Sequence, residues 1–304
     1  MSNPYITFPE HVTICEVGPR DGLQNESAFV ATAIKVELIE KLAAAGCRHI
    51  EATSFVAPKK IPQLADAAEV LRAIRRSPGV VYSALTPNLQ GFNAARAAGA
   101  DEVAVFASAS ESFSRHNINC AIEDSLERFA PVVAAAQAAG LRTRAYVSCA
   151  LGCPYEGEIA PAAVARVAKA LFAMGCHQIS LGDTIGVGAP RAVQRMIEAV
   201  ARDIPIENLA GHFHDTYGMA AANVWAALEL GVATFDSSVG GLGGCPYAPG
   251  AAGNLATEDL AWLMRGCGVD TGLDLQSLVA CARWISGILG RPPGSRVARA
   301  FAYN

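Results

Sequence analysis

The sequence predicts a closed (β/α)8 barrel, the TIM-barrel fold. Short β-branched runs alternate with longer alanine-rich helical stretches along the whole chain, and eight such strand–helix pairs can be counted. A doubly wound open sheet needs only six strands, and no G-x-G-x-x-G follows the first strand here. We therefore expect one catalytic domain over residues 1–304, with the barrel at about 12–266 and a C-terminal helical extension at about 267–304.

The predicted elements follow from residue type and from stop signals. The predicted strands are Val12–Val17, His49–Phe55, Val80–Leu85, Glu102–Ala107, Arg142–Ser148, His177–Leu181, Leu209–Phe213 and Thr234–Val239. The predicted helices are Thr32–Ala45, Pro62–Arg75, Leu89–Ala98, Ile122–Ala139, Pro161–Met174, Pro190–Arg202, Tyr217–Leu230, Ala256–Arg265 and, in the extension, Asp274–Leu289. Glycine ends several of these helices, as at Gly46, Gly99 and Gly140, because it adopts the left-handed conformation at a helix C-terminus.

Composition narrows the class of protein further. Of the 304 residues, 52% are hydrophobic and 17% charged, which favours a well-packed globule over a disordered chain. The formal net charge of −4 argues against a nucleic-acid partner. No apolar stretch approaches the roughly 20 residues of a membrane helix, and the start lacks a secretory pattern. Nine cysteines, an odd number, indicate reduced thiols and a cytoplasmic protein.

Polar and ionisable residues collect where the predicted strands end. The positions concerned are 16–26 after strand one, Glu51 in strand two, Asp183 after strand six, His212 and His214 at strand seven, and Cys245 and Asn254 after strand eight. Since the carboxyl ends of all strands meet at one rim of such a barrel, these groups should share the rim that carries active sites.

Two of these residues, His212 and His214, are the first indication of a metal site. Residues i and i+2 of a strand face the same side, so both imidazoles can reach one ion. Alone, such a pair is more often structural, and Asp21 could be a plain turn residue beside Gly22. Together with the Asn254 amide oxygen they form a mixed nitrogen and oxygen set that suits Mg²⁺ or Mn²⁺, with Zn²⁺ as the alternative.

Arg20 and Cys245 are the candidate reactive groups beside that site. Arg20 could pair with Glu51 or cap a helix, but its fixed fork of donors also suits a developing oxyanion. Cys245 lies in a segment with glycine at 240, 241, 243, 244, 250 and 253. Such a segment can close over a substrate and expel water.

At this point a family resemblance emerges. The chain resembles the 3-hydroxy-3-methylglutaryl-CoA (HMG-CoA) lyases over nearly its whole length. The matching segments are EVGPRDGLQNE (16–26), EATSF (51–55), NINC (117–120), YVSCALGCPYEG (146–157), SLGDTIGVG (180–188), HFHDTYG (212–218) and the stretch 237–260 around GLGGCPYAPGAAGNLATEDL.

The resemblance implies a carbon–carbon lyase that uses a divalent cation, Mg²⁺ or Mn²⁺. It would cleave HMG-CoA to acetyl-CoA and acetoacetate by retro-Claisen chemistry, as in leucine degradation and ketone-body formation. The residue roles it implies are metal ligation by Asp21, His212, His214 and Asn254, substrate binding by Arg20 and Gln24, and catalysis by Cys245, Arg20, Glu51 and Asp183, with Glu258 as a further supporting acid. His212, Asp21 and Glu51 are all candidates for the base that takes the hydroxyl proton.

Some questions stay open at the level of sequence. A lyase with the same site could act on a bulkier branched 3-hydroxyglutaryl-CoA, since the motifs say little about the C3 substituent. A Claisen synthase or aldolase of the same superfamily, or a non-catalytic acyl-CoA-binding barrel, is less favoured. Lys59, Lys60, Arg115 and His116 are candidate contacts for the CoA phosphates, and a homodimer is what the family suggests.

Overall fold

The computed structural model describes residues 8–244 and 253–301, and it shows the predicted barrel. Eight parallel strands form a closed sheet in chain order, and the eighth pairs with the first. Their bounds are Thr13–Glu16, His49–Ser54, Val81–Leu85, Glu102–Ser108, Arg142–Ser148, Gln178–Asp183, Leu209–Phe213 and Thr234–Ser237. The fold-class prediction is confirmed, and both limits of the first five strands and the seventh lie within one residue of the prediction. The sixth and eighth strands differ from it by two residues at their carboxyl ends.

Helices surround this barrel in the order expected of βα units. Within the described residues the α-helices are Thr32–Ala44, Ala67–Ala73, Leu89–Ala98, Glu111–Ile118, Ile122–Ala138, Pro161–Met174, Pro190–Val200, Ala220–Leu228, Thr257–Cys267, Leu275–Ile288 and Arg296–Ala300. The ninth of these helices ends at Cys267. No helix among the described residues is long and apolar enough to cross a bilayer.

Three local predictions differ from the structure. The helix predicted over Pro62–Arg75 is divided into a 3-10 turn, Pro62–Leu64, and a short helix, Ala67–Ala73. The turn is held in place by Lys35, whose buried ammonium donates to the Gln63 carbonyl and pairs with Asp66 at 2.7 Å. This tertiary contact overrides the helical pattern.

The loop expected after strand four contains a helix, Glu111–Ile118. Ser110 caps it, because its hydroxyl accepts from the Phe113 N–H at 3.0 Å. A short antiparallel hairpin, Gly152–Cys153 with Gly157–Glu158, also lies in a segment that was expected to be a loop.

The glycine-rich segment after strand eight begins in a conformation that favours glycine. Gly240 and Gly241 have φ of 66° and 64°, a left-handed region that side chains disfavour. The C-terminal helices support this segment from outside: the Gly294 N–H donates to the Gly240 carbonyl at 2.8 Å. The extension therefore helps to position the rim.

Two buried carboxylates lie beneath the same segment. Glu16 accepts from the Val239 N–H at 3.0 Å and the Gly18 N–H at 2.8 Å, and both oxygens of Glu258 accept from the Gly240 N–H. Burial raises the pKa of Glu16 to about 7 and that of Glu258 to about 8. Each side chain thus joins the glycine segment to the barrel, at the cost of desolvating an acid.

Glu258→Gln is expected to change how stability depends on pH. Because the folded pKa of Glu258 is about 8 against an ordinary value of 4.5, its favourable contribution is complete below 4.5 and is lost as pH rises towards 8. The glutamine cannot ionise and still offers an acceptor to Gly240. The variant should therefore melt higher than the parent at alkaline pH, by at least about 2 °C, and should lose this advantage near pH 4.5.

Thermal melts of both proteins across this pH range provide the measurement. Glu229→Gln, which alters an exposed carboxylate, is the matched control. A melting difference for Glu258→Gln that does not change with pH would contradict the assignment.

Candidate metal centre and active-site cavity

The first rim loop is wound as a single π-helical turn, Gly18–Gly22, which carries Arg20 and Asp21. Its backbone bonds span five residues, as in the bond from the Leu23 N–H to the Gly18 carbonyl at 3.0 Å. A Cβ on Gly22 would lie 2.8 Å from Leu242 Cβ, so glycine is required for the loop to approach the segment after strand eight. Both loops are thereby brought together over the barrel mouth.

Three side chains from opposite ends of the sequence converge above the barrel. The Oδ2 atom of Asp21 lies 4.0 Å from His212 Nε2 and 3.9 Å from His214 Nε2, and the two Nε2 atoms are 3.3 Å apart. All three side chains are largely buried. The structure thus brings together His212 of strand seven, His214 just after that strand, and the carboxylate of the first loop.

A second carboxylate fixes the orientation of one imidazole. Asp236, on strand eight, lies 3.1 Å from His212 Nδ1 through its Oδ2 atom. Its other oxygen accepts from Arg144 at 2.6 Å, and Ser180 donates to Oδ2 at 2.7 Å. Although burial opposes ionisation, Arg144 and His212 hold the pKa of Asp236 well below its usual range. An ionised Asp236 keeps the proton on Nδ1, which leaves the Nε2 lone pair facing Asp21.

His214 and Asp21, the other two donors, are in protonation states in which they can bind a cation. Burial and the nearby His212 lower the pKa of His214 to about 4, so that imidazole is neutral at pH 7. Burial opposes ionisation of Asp21, but the net shift of its pKa is downward, with the adjacent Arg20 as the largest opposing influence, so the carboxyl is ionised. The Nε2 atoms of His212 and His214 and the Oδ2 atom of Asp21 lie within 4.0 Å of one another, as the ligand atoms of one ion do. The donor set therefore fits a divalent ion.

Arg20 is held rigidly beside these donors. Its Nε donates to Glu51 Oε2 and its Nη1 to Asp21 Oδ1, both at 2.5 Å, and the guanidinium lies 5.3 Å from the Tyr146 ring centre. The pairing of Arg20 with Glu51, one of the two alternatives for this residue, is thus observed. Glu51 and Asp21 thus take up Nε and Nη1, and Nη2 has no hydrogen bond among the described residues.

Asn254 and Gln24 both contact Asp21. The Asn254 amide nitrogen donates to Asp21 Oδ2 at 2.8 Å and to the Leu242 carbonyl at 3.2 Å. The Asn254 nitrogen, and not its oxygen, therefore faces the metal donors in this structure. Gln24 donates to Asp21 Oδ1 at 2.9 Å and lines the cavity.

Asp183 is placed differently from the other predicted site residues. Its two oxygens accept from the Val187 and Gly188 N–H groups at 3.1 and 2.8 Å, so it folds the loop that follows strand six. Burial raises its pKa to about 6. Cys245 lies outside the described residues; the preceding Gly244 lines the cavity, and its carbonyl accepts from Asn25 at 2.9 Å.

The donors open into a cavity of about 680 Å³ at the carboxyl end of the barrel. The apolar and aromatic residues that line it include Leu85, Phe106, Phe113, Phe129 and Tyr146. Of the four proposed CoA contacts, Lys60 and His116 line this cavity. So does Arg128, which sequence reasoning missed, whereas Arg115 pairs with Glu111 at 3.0 Å.

Sequence reasoning also missed Asp236, Arg144 and Tyr146, which are buried inside the barrel. An available signal was strand alternation: Arg144 and Tyr146 are two residues apart on strand five and face the same side. A charged residue within a strand of an otherwise apolar chain indicates a partner inside the barrel.

The fold and this donor set define a (β/α)8-barrel protein with a candidate divalent-metal centre at its catalytic rim. The chain matches the family model described as HMGL-like over residues 11–285, and it belongs to that family. It is 58% identical over 294 residues to the mitochondrial hydroxymethylglutaryl-CoA lyase of Bos taurus, covering 97% of this chain and 90% of that protein.

Two further relatives are informative. A 3-hydroxy-3-isohexenylglutaryl-CoA/hydroxymethylglutaryl-CoA lyase of Pseudomonas aeruginosa is 56% identical, with 97% of this chain and 98% of that protein covered. A solved HMG-CoA lyase from Acinetobacter baumannii, in complex with coenzyme A and 3-methylmalate, superposes with a TM-score of 0.92 at 38% identity. The superposition covers 99% of this chain and 97% of that one.

Asp236→Asn should weaken metal binding while leaving the metal donors themselves unchanged. Without the anionic partner, His212 is no longer fixed in one tautomer, and loss of such a partner typically costs 10–100-fold in metal affinity. Titration with Mn²⁺ measures the affinity directly. Asp203→Asn, which alters an exposed ion pair with Lys169, is the matched control and should bind Mn²⁺ as the parent does. Unchanged Mn²⁺ affinity in Asp236→Asn would remove this residue from the centre.

Proposed function

We propose that this protein is an HMG-CoA lyase, which cleaves its substrate to acetyl-CoA and acetoacetate. The observation that carries the proposal is the placement of Asp21, His212, His214 and Arg20 together on one cavity wall, in a chain of the HMGL-like family. Lyases of this name are 55–58% identical over nearly the whole chain. The acyl-CoA substrate class is supported by a relative solved with coenzyme A.

Charge supports an anionic substrate at this site. The two carboxylates of Asp21 and Glu51 and the single guanidinium of Arg20 give a formal charge of −2 + 1 = −1 when both acids are ionised. A divalent ion on Asp21, His212 and His214 changes this to +1, which suits a substrate with a free carboxylate. When bound, such an ion would polarise the tertiary hydroxyl and orient the carboxylate. We propose Mg²⁺ or Mn²⁺, with the Asn254 oxygen completing the set once its amide turns over.

Arg20 is proposed to stabilise the enolate that forms as the carbon–carbon bond breaks. Its Nη2 edge is available to the thioester oxygen, since Asp21 and Glu51 hold the other donors. Because the ion pairs and Tyr146 fix the guanidinium before the reaction, little reorganisation is needed, and one such donor is worth roughly 3–4 kcal/mol. Glu51, one of the three candidate bases, is not among the described residues that line the cavity. We propose instead that it holds Arg20 in position.

Cys245 is proposed to return a proton to the enolate carbon of acetyl-CoA. Gly244, the residue before it, lines the same cavity as Arg20 and the metal donors. The cytoplasmic location and the homodimer expected from the sequence stay predictions.

The direct test is turnover of HMG-CoA, followed as acetyl-CoA release. After exhaustive chelation the protein should lose its activity, because no cation is then held by Asp21, His212 and His214 to polarise the substrate hydroxyl. Addition of Mg²⁺ or Mn²⁺ should restore the activity. The control is the same treatment followed by Ca²⁺, a larger ion with different geometric demands. Full activity after chelation would refute the metal assignment, and absence of turnover with every metal would refute the proposed function.

Cys245→Ser tests the loop thiol separately. The substitution should leave Mn²⁺ affinity and melting temperature unchanged but lower turnover by orders of magnitude, because a hydroxyl is a far weaker acid than a thiol. Cys267→Ser, in the ninth helix, is the control. Near-normal turnover of Cys245→Ser would exclude the thiol from the mechanism.

A second substrate is also supported. The relative from Pseudomonas aeruginosa is named for both the isohexenylglutaryl and the methylglutaryl thioester. The apolar wall formed by Leu85, Phe106 and Phe129 offers surface to a longer C3 substituent. A panel of 3-hydroxyglutaryl-CoA thioesters that vary in this substituent would rank the two substrates by kcat/KM.

A further inference from the structure

A second cluster of reactive side chains lies at the opposite end of the barrel from the metal centre. Cys15, on the first strand, is the in-register partner of His49, the first residue of the second strand. Glu102 is the first residue of the fourth strand. Because all strands are parallel, His49 and Glu102 lie at the amino end of the barrel, whereas the metal donors lie at the carboxyl end.

Cys15 and Glu102 contact different nitrogens of the His49 imidazole ring. Cys15 Sγ lies 2.8 Å from His49 Nδ1, and His49 Nε2 lies 2.7 Å from Glu102 Oε1. An ionised Glu102 keeps a proton on Nε2, so Nδ1 is free to exchange a proton with the sulfur. Nucleophile, base and orienting acid in this order are the arrangement that activates cysteine in enzymes.

The charges around the cluster favour an ionised Glu102 and a protonated His49. Glu102 is completely buried, yet His49 and His177 outweigh the desolvation and lower its pKa; the nearest contacts of its second oxygen are Arg142 at 3.3 Å and His177 at 3.4 Å. Burial opposes a charged imidazole, but Cys15 and Glu102 raise the pKa of His49 to about 10. Arg144, inside the barrel, also interacts favourably with an ionised Cys15.

Other cysteines of the chain lack such surroundings. Burial raises the pKa of Cys176 to about 12, and it also raises the pKa values of Cys47 and Cys281. Thiols of this kind are inert. Cys15 itself is only 2% exposed, but the His49 and His177 side chains beside it are 12% and 31% exposed. A small reagent would therefore have to enter at the amino end of the barrel, beside the His49 ring that contacts the sulfur.

We propose that Cys15 is a thiol-modification site, activated by His49 and Glu102, that takes small disulfide-containing molecules. The Cys15 thiolate attacks one sulfur of the disulfide, the S–S bond breaks, and a mixed disulfide forms at Cys15. The departing thiolate takes the proton that His49 had received from Cys15. The sum is one protein thiol plus one disulfide giving one mixed disulfide plus one free thiol, and an excess of thiol reverses it.

The experiment treats the metal-loaded, full-length protein with 2-hydroxyethyl disulfide and follows each cysteine by peptide mass spectrometry. Cys120 and Cys267, which are more exposed, are the internal controls for access. Cys15 should react at least about 10-fold faster than either control at pH 7, and its rate should fall less than 3-fold from pH 8 to pH 6. An ordinary thiol loses roughly 10-fold per pH unit below its pKa.

The His49→Gln variant tests whether His49 activates the Cys15 thiol. The variant should slow Cys15 by 10-fold or more and restore an ordinary thiol pH profile, while Cys120 and Cys267 react as before. If this variant does not fold, the pH dependence of the Cys15 modification rate in the wild-type protein still tests the proposal. A Cys15 that is unreactive, that reacts no faster than the controls, or that is unaffected by His49→Gln overturns the proposal.

Discussion

The buried ion pair between Arg144 and Asp236 is the interaction on which the interior of this barrel depends. The Arg144 guanidinium is enclosed by the strands, where it donates to Asp236 at 2.6 Å, Gln178 at 2.8 Å and the Tyr146 hydroxyl at 3.0 Å. Burying a guanidinium is costly, and removing one partner of such a pair typically destabilises a protein by about 3–5 kcal/mol. The same Asp236 orients His212, so the pair that neutralises the barrel interior also prepares the metal centre.

Buried charges continue above and below this pair. At the carboxyl rim Arg20 is paired with Asp21 and Glu51, and at the amino end His49 is paired with Glu102. Barrels of this fold usually fill their interior with layers of branched apolar side chains. Here, successive levels of the barrel carry charges whose partners come from neighbouring or opposite strands. These charges are therefore paired only when the barrel is closed. Because the paired side chains are attached to the strands or to their ends, the rigid sheet also fixes their positions.

The candidate site was predictable to the extent that it lies in contiguous motifs. Asp21, His212 and His214 were assigned from sequence because each follows or ends a strand, and the parallel barrel brings those ends together. Asp236 was missed because nothing beside it in the chain distinguishes it from any strand residue; its partner His212 is 24 residues away, and Arg144 is 92 away. The helix Glu111–Ile118 was missed because its stability comes from the Ser110 cap and from packing rather than from a long apolar period.

The sequence by itself determined the fold class and the rim at which the chemistry collects. Strand and helix periods are local properties, and eight βα units in a row have one compact way to close. Only the tertiary structure decided which side chains pair: that Glu51 holds Arg20, that the Asn254 nitrogen faces Asp21, and that Cys15 meets His49. These choices depend on distances of a few ångströms between strands remote in sequence. Such distances are set by barrel closure and by the need to compensate every buried charge.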